Sequence, residues 1–505
     1  MTVVPIRDAL AKAEPVTEAN LAPEFSDDAL ALEFTARHVH DLRFVAKWGT
    51  WLCWDGTRWK FEDTLKAFDL ARVVARESAN ACNKSDGKLK IASAAKSAAI
   101  EKLARADRRH AATVDQWDTD PWLLNTPGGI IDLQTGNTLP HDPERYMTKI
   151  TAVAPGGNCP LWHRFLREIT GEDAALQAFL QRTAGYALTG SIREHALFFF
   201  YGTGGNGKSV FLNTLTAILH DYAAVAPMEA FVVTQGERHP TDLAGLRGAR
   251  FVTAQETERG LRWAESKVKA LTGGDQITAR FMRQDFFTFL PIFKLVIAGN
   301  HKPGLNAIDE AIRRRFHLVP FTVTIREPDT ELPDKLRAEW PGILAWMIEG
   351  CRSWLEEGLN PPAAVQAATA AYLSDEDTFA QWVEECCITG KGRWGIGARL
   401  WRSWTGWAEV NKELPGSRKA FAGAMAAHGH PKEKNQGVRG YGGIDLKSDE
   451  RSRATLIERL VDGLDGSSHM KRIARVRAYM CDGGKGGTCP ICPGRNIDIS
   501  RDRVR

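Results

Sequence analysis

"LFFFYGTGGNGKSVFLNTL", residues 197–215, carries two glycine-rich phosphate signatures on the same residues. Gly202, Gly204 and Gly207 satisfy G-x-G-x-x-G, while Gly202, Gly207, Lys208 and Ser209 satisfy G-x-x-x-x-G-K-S. Only the second accounts for Lys208. A dinucleotide fold wants an acidic residue at the end of the next strand, about 20 residues on, and the nearest candidates, His220 and Asp221, close an apparent helix over "VFLNTLTAIL" instead. The P-loop reading uses every residue. "ALFFFY" is a buried apolar strand, and Gly202, Thr203, Gly204, Gly205, Asn206 and Gly207 turn backbone N–H groups toward one phosphate chain. Lys208 then supplies a charge near the outer phosphates, and the Ser209 hydroxyl reaches a magnesium ion at the helix N-terminus, so the expected ligands are ATP and Mg2+.

Around this loop lie 505 residues, more than one hydrophobic core usually serves, which predicts about three domains. The composition, 43% hydrophobic and 25% charged, is that of an ordinary globular protein, and a formal charge of +4 is too small to demand an anionic partner, so any basic surface is local. No run of about 18 apolar residues occurs, and "MTVVPIRDALAKAEPVTEAN" lacks the apolar core of a signal peptide. These absences predict no membrane partner and a cytoplasmic location. The nine cysteines, scattered and odd in number, fit reduced thiols better than a disulfide framework.

A P-loop names the substrate but not the machine, which the residues after it must specify. "GARFVTAQETE" runs a strand, 251–254, into Glu256 and Glu258, where a carboxylate for magnesium and for the attacking water belongs. "QITARFM" and "FFTFLPIF" flank a polar tip, residues 283–285, as a hairpin does. "KLVIAGN" is an apolar strand ending on Asn300, whose amide can orient a water against the γ-phosphate. "DEAIRRRFHLVPF" sets Arg313, Arg314 and Arg315 before another apolar strand; such a run is either a solvated basic edge or the source of an arginine finger.

This order of parts resembles a superfamily 3 helicase of the AAA+ class, the C-terminal half of phage and plasmid primase-helicases, to which the poxvirus primase-helicase is also similar. The resemblance implies an α/β fold: an AAA+ type P-loop NTPase core, an N-terminal α+β accessory domain and a C-terminal winged-helix domain. It further implies an ATP-dependent DNA helicase of phage or plasmid replication, working as a ring homo-oligomer, a hexamer, on single-stranded and forked DNA in the bacterial host or phage-infected cell. By that resemblance Lys208, Glu256, Glu258, Asn300 and Arg315 are catalytic, with Arg315 pointing into the neighbouring subunit's nucleotide and Ser209 and Glu256 holding the metal. The hairpin grips DNA in the pore, giving Arg280 and Arg283 as contacts. Many members have two adjacent acids where this chain has Gln255, Glu256, Thr257 and Glu258. The competing readings are a P-loop ATPase that remodels or packages DNA without unwinding it, and a nucleotide-gated origin-binding protein.

The expected organisation is a leader over 1–25, an accessory domain over 26–155, the ATPase core over 156–330, a helical connector over 331–374, a winged helix over 375–450 and a basic tail over 451–505. In the accessory region "WGTWLCWDGTRWKF" alternates large apolar residues around Asp55-Gly56, a hairpin turn signal. No separate catalytic constellation is found there; His110 and the tryptophans read as core or surface, and the domain as one for packing and oligomerisation. The short leader has no room for a primase, which predicts a separate one as partner. In the winged helix, "SRKAFAGAMAAHG" and the glycine-rich strand pair "RGYGGIDLK" offer Arg418, Lys419, Lys432, Lys434 and Arg439 as phosphate contacts, or as solvated charges. In the tail, Cys489 and Cys492 form one C-x-x-C with Cys481 and His469 nearby; a zinc ribbon normally shows two such pairs, so a mobile basic segment is the simpler reading.

Overall fold

The computed structural model describes residues 22–234, 241–255, 260–281, 285–305 and 308–451. The chain divides into two compact units, one comprising residues up to 302 with 315–366, the other 303–314 with 367 onward.

The first unit begins with a helical and β-meander layer. Helix α1 (Asp27–His38) starts at Ser26, whose side chain accepts a hydrogen bond from the Ala29 N–H. Strands β1 (Leu42–Val45), β2 (Thr50–Trp54) and β3 (Trp59–Phe61) pair antiparallel in that order. The β2–β3 turn is the one the Asp55-Gly56 pair predicts. Gly56 takes φ +97°, and Asp55 Oδ1 accepts from the Thr57 and Arg58 N–H groups, each at 2.8 Å. Helices α2 (Lys66–Ala81) and α3 (Ala94–Ala104) cover this sheet around Leu30, Phe34, Trp51, Val74 and Ile100. A second meander, β4 (Leu123–Thr126), β5 (Gly129–Asp132) and β6 (Thr138–Leu139), comes next.

Helices α4 (Pro160–Thr170) and α5 (Ala174–Leu188) lead into a parallel sheet. Its strands are β7 (Leu197–Tyr201), β8 (Ala223–Val225), β9 (Phe251–Gln255), β12 (Lys294–Gly299) and β13 (Phe316–Pro320), in the spatial order β13-β7-β12-β9-β8. The runs "LFFFY" and "KLVIAG" read as continuous apolar strands because central strands of a parallel sheet are covered on both faces. Between β9 and β12 the hairpin strands β10 (Ile277–Ala279) and β11 (Phe287–Phe289) pair antiparallel, Ala279 opposite Phe287. They are shorter than the sequence runs suggest. Helix α6 (Lys208–Leu219) leaves the glycine loop, and α7 (Trp340–Glu357) returns after the sheet.

Asp221, the acid a dinucleotide site would need, accepts from Arg58 and from the Ile150 N–H at 3.1 Å. It stands just before β8, whose Ala223 pairs with Phe251, the first residue of β9. That is the sheet edge opposite the glycine loop, so Asp221 fastens the accessory region and offers nothing to a ribose.

In the second unit, helix α8 (Thr378–Cys386) precedes β14 (Cys387–Ile396), helices α9 (Gly397–Val410) and α10 (Arg418–Ala427), and strands β15 (Lys432–Asn435) and β16 (Val438–Leu446). The antiparallel sheet has the order β14-β16-β15 and packs on Trp382, Leu400, Trp404, Trp407, Phe421 and Ile444. "RGYGGIDLK" is therefore one central strand and not a strand pair; its partners are 432–435 on one side and β14 on the other. Strand β14 escapes a sequence reading because residues 388–393 are all exposed and include Gly390 and Gly392.

No helix among the described residues is long and apolar enough to cross a membrane. None of the six described cysteines is in a disulfide, and all are buried.

Candidate nucleotide site

Parallel register brings the ends of four strands to one edge. Tyr201 of β7 is level with Gly299 of β12 and with Pro320 of β13, and Ala298 is level with Gln255, the last residue of β9. The glycine loop, which leaves the end of β7, and Asn300, which leaves the end of β12, therefore meet in space.

The loop conformation is one that only these residues allow at low cost. Gly204, Gly205 and Gly207 take φ of +99°, +60° and +80°. A Cβ on Gly202 would lie 2.1 Å from the Phe321 carbonyl oxygen, and one on Gly207 would lie 2.4 Å from Ile169 Cγ2. Gly204 and Gly205, by contrast, face open space. Asn206 is buried and its Nδ2 donates to the Phe321 carbonyl at 2.8 Å, tying the loop to the segment after β13. The Ile325 N–H donates to the Gly205 carbonyl at 2.9 Å, a second tie.

Lys208, only 6% exposed, donates through Nζ to the Gly202 carbonyl at 2.9 Å and to Asn206 Oδ1 at 3.0 Å. Burial lowers its pKa from the ordinary lysine range. No carboxylate ion pair neutralises it among the described residues, so an incoming anion meets an uncompensated cation. Ser209 is exposed at the first turn of α6. A cavity of about 410 Å³ is lined by Gly204, Gly205, Gly207, Lys208, Ser209 and Asn300. Its other wall is mixed, with the apolar Leu161, Phe165, Ile325 and Leu332 among the charged Arg164, Glu168, Glu327 and Asp329. The glycine loop's backbone donors and the Lys208 cation at one end of this cavity suit the phosphates of a nucleotide, with the Ser209 hydroxyl placed to hold Mg2+.

The remaining sequence-read residues divide. Glu256, Glu258 and Arg283 lie outside the described residues, as do Cys481, Cys489, Cys492 and His469 of the tail. Among the described residues no cluster of three or more His, Cys, Asp and Glu suits a metal ion. Arg280 is half-buried with its guanidinium 4.8 Å above the Phe286 ring. Arg439 is exposed on β16, opposite Lys434. Arg315 is 6% exposed, and its Nε donates to Thr272 Oγ1 at 3.1 Å within the chain. Arg313 and Arg314 are exposed. Sequence reasoning missed Asn206, beyond its place in the loop, as the residue that anchors Lys208, and missed the cavity wall contributed by α4 and by residues 325–332; neither has a local sequence signal, because both depend on parts of the chain distant from the loop.

Residues 31–171 match a family described as D5 N terminal like, and residues 200–315 match a family of unknown function, DUF5906. The chain is 27% identical over 236 residues to "Putative helicase 022R" of Frog virus 3, covering 42% of this chain and 24% of that one. It is 23% identical over 300 residues to "Putative helicase L207/L206" of Acanthamoeba polyphaga mimivirus, covering 54% and 31%. The chain thus spans about a quarter to a third of the curated relatives it matches. The solved structure titled "The A form apo structure of NrS-1 C terminal region-CTR" aligns with a TM-score of 0.45 at 11% identity, covering 80% of this chain and 95% of that one. The D5 N terminal like region and the helicase-named viral relatives bear out the resemblance to primase-helicases read from the sequence.

Proposed function

We propose that this chain, D5 N terminal like over residues 31–171 and similar to viral proteins named helicases, is an ATP-dependent DNA helicase motor of a replication system. The observation that carries the reading is the cavity onto which Lys208, Ser209 and Asn300 converge at aligned strand ends. Lys208 holds the outer phosphates, Ser209 and Glu256 hold Mg2+, Asn300 positions the water, and Glu256, helped by Glu258, activates it. Magnesium, when bound, neutralises charge on the phosphate oxygens. The strand order β13-β7-β12-β9-β8, with one strand between the P-loop strand and the acidic strand, supports an AAA+ type core. The order helix-strand-helix-helix-strand-strand in the second unit supports a winged helix, with Arg418 and Lys419 on α10 and Lys432, Lys434 and Arg439 on the wing meeting DNA phosphates. The domain boundaries read from the sequence, the ring, the partner primase and a cytoplasmic site of action belong to this reading.

For the arginine finger, exposure favours Arg314. Arg315 would have to leave Thr272 and its buried place to reach a neighbour, while Arg314 would not. The test of the whole reading is nucleotide turnover. The protein hydrolyses ATP with magnesium, single-stranded DNA accelerates it, and Lys208→Ala abolishes it with the circular dichroism spectrum retained. Turnover by Lys208→Ala at the parental rate under saturating magnesium overturns the site. Turnover that DNA leaves unchanged favours the origin-binding reading instead.

A further inference from the structure

Among the described residues the exposed phenylalanine rings are not scattered. Phe281, 41% exposed just after β10, stacks on Phe287 at 5.5 Å between centroids. The Arg247 guanidinium lies 5.5 Å from the Phe287 ring and 5.5 Å from the Trp48 ring, between them. Trp48 in turn meets Phe61 at 5.2 Å, and Phe61, at the end of β3, is 53% exposed. Four steps of 5.2 to 5.5 Å therefore run without a break from the hairpin of the nucleotide-binding sheet to the meander of the accessory region. Phe286, 58% exposed beneath Arg280, flanks the hairpin end.

Every member of the series keeps some surface open, since Phe287, Arg247 and Trp48 are half-buried. Neither Arg247 nor Arg280 has a carboxylate ion pair among the described residues, and Arg280 Nε has no hydrogen-bond partner there. A core would bury the rings, and a protein-binding patch would be broad and apolar. The rings at the two ends of the series, Phe281 and Phe61, keep the most surface open for unpaired bases to stack on, and Arg247, which covers the inner rings Phe287 and Trp48, lies between them where a backbone phosphate would pass.

We propose that Phe281, Phe287, Arg247, Trp48 and Phe61 form one track for single-stranded nucleic acid, so that the strand gripped by the hairpin continues across the accessory region. This rests on the proposed function in one respect, that the chain handles nucleic acid, and extends it by giving the accessory region a contact of its own. Arg247 is the joint. It carries no base contact that a shorter strand at the hairpin would need, but without it the two ring surfaces separate.

The test is photocrosslinking of the full chain to oligothymidine of about 25 nucleotides, several site sizes of a typical single-strand surface, with one 5-iododeoxyuridine moved along it. Peptides containing Phe281 to Phe287 should crosslink at one group of positions and peptides containing Trp48 to Phe61 at another, a few nucleotides away. Phe61→Ala should weaken binding of this oligonucleotide about tenfold, the loss of one base–aromatic stack, while Phe61→Trp restores it. Crosslinks confined to the hairpin, with Phe61→Ala binding as tightly as the parent, overturn the track and leave the motor reading standing. A change of sedimentation in Phe61→Ala with no crosslink at 48–61 also overturns it, assigning the surface to a second copy of the chain. Absence of any binding to single strands removes the nucleic-acid reading itself.

Discussion

Arg315 and Arg314 are adjacent in sequence and opposite in environment, and the difference separates two functions. A buried guanidinium bonded to Thr272 holds helix 265–273 to the start of β13, whose preceding carbonyl, that of Arg315, accepts from the Leu197 N–H at 2.7 Å. Arg315→Ala should therefore cost about 1.5–3 kcal/mol of stability, the range for a buried hydrogen bond to a charged group, visible as a lower urea midpoint. Arg314→Ala should leave the midpoint unchanged and abolish turnover. Mixed with Lys208→Ala subunits it should regain part of that turnover, because some interfaces then combine an intact P-loop with an intact finger. If the Arg315→Ala mixture recovers and the Arg314→Ala mixture does not, the roles are reversed. At this scale the conformation of the glycine loop was legible, since Gly204, Gly205 and Gly207 answer a local backbone requirement for positive φ. The environments of three consecutive arginines were not, because burial is decided by Thr272, 43 residues away.

Elements were legible where one physical pattern dominated. The strands at 197 and 294 announced themselves as apolar runs, the strand at 251 by the acids that follow it, and α6 as the helix expected after the glycine loop. Strand β14, polar and glycine-interrupted, is held by its pairing with β16 and has no such pattern. Helix crossings are equally silent in sequence. Helices α5 and α7 approach so closely that a Cβ on Gly185 would lie 2.0 Å from the Cys351 backbone nitrogen, and one on Gly350 would lie 2.2 Å from the Gln181 carbonyl oxygen. Neither obstacle is a flexible side-chain end. Gly185→Ala should destabilise by about 1–3 kcal/mol or more through forced separation of the helices, read as a lower urea midpoint at unchanged slope. Gly423 in α10 has nothing within 4 Å of its would-be Cβ. There the same substitution should stabilise by about 0.4–1 kcal/mol by restricting the unfolded chain. Equal effects at the two sites would refute the close crossing.

For the whole molecule, the parallel sheet explains why the parts of the site arise so far apart in sequence. The glycine loop after β7 and Asn300 after β12 are about a hundred residues apart, and the register of adjacent parallel strands brings them to one cavity. The accessory region is fastened through Arg58 and Asp221 to the edge of the sheet opposite the glycine loop. The sequence order of these parts made the parallel α/β sheet readable, since the glycine loop and Asn300 each come directly after an apolar strand. The contacts that join the accessory region to the parallel-sheet region were unreadable, because Arg58, Arg247 and Trp48 resemble any other surface residues until the chain is folded. The central claim is that ATP turnover at this cavity separates DNA strands. It is met most directly by a strand-displacement assay on a forked duplex with ATP and magnesium. The account predicts a displaced strand that appears with the parental protein and is lost with Lys208→Ala and with a non-hydrolysable ATP analogue. DNA-stimulated ATP turnover without displacement on forks of either polarity would contradict it, leaving an ATPase that remodels or packages DNA without unwinding.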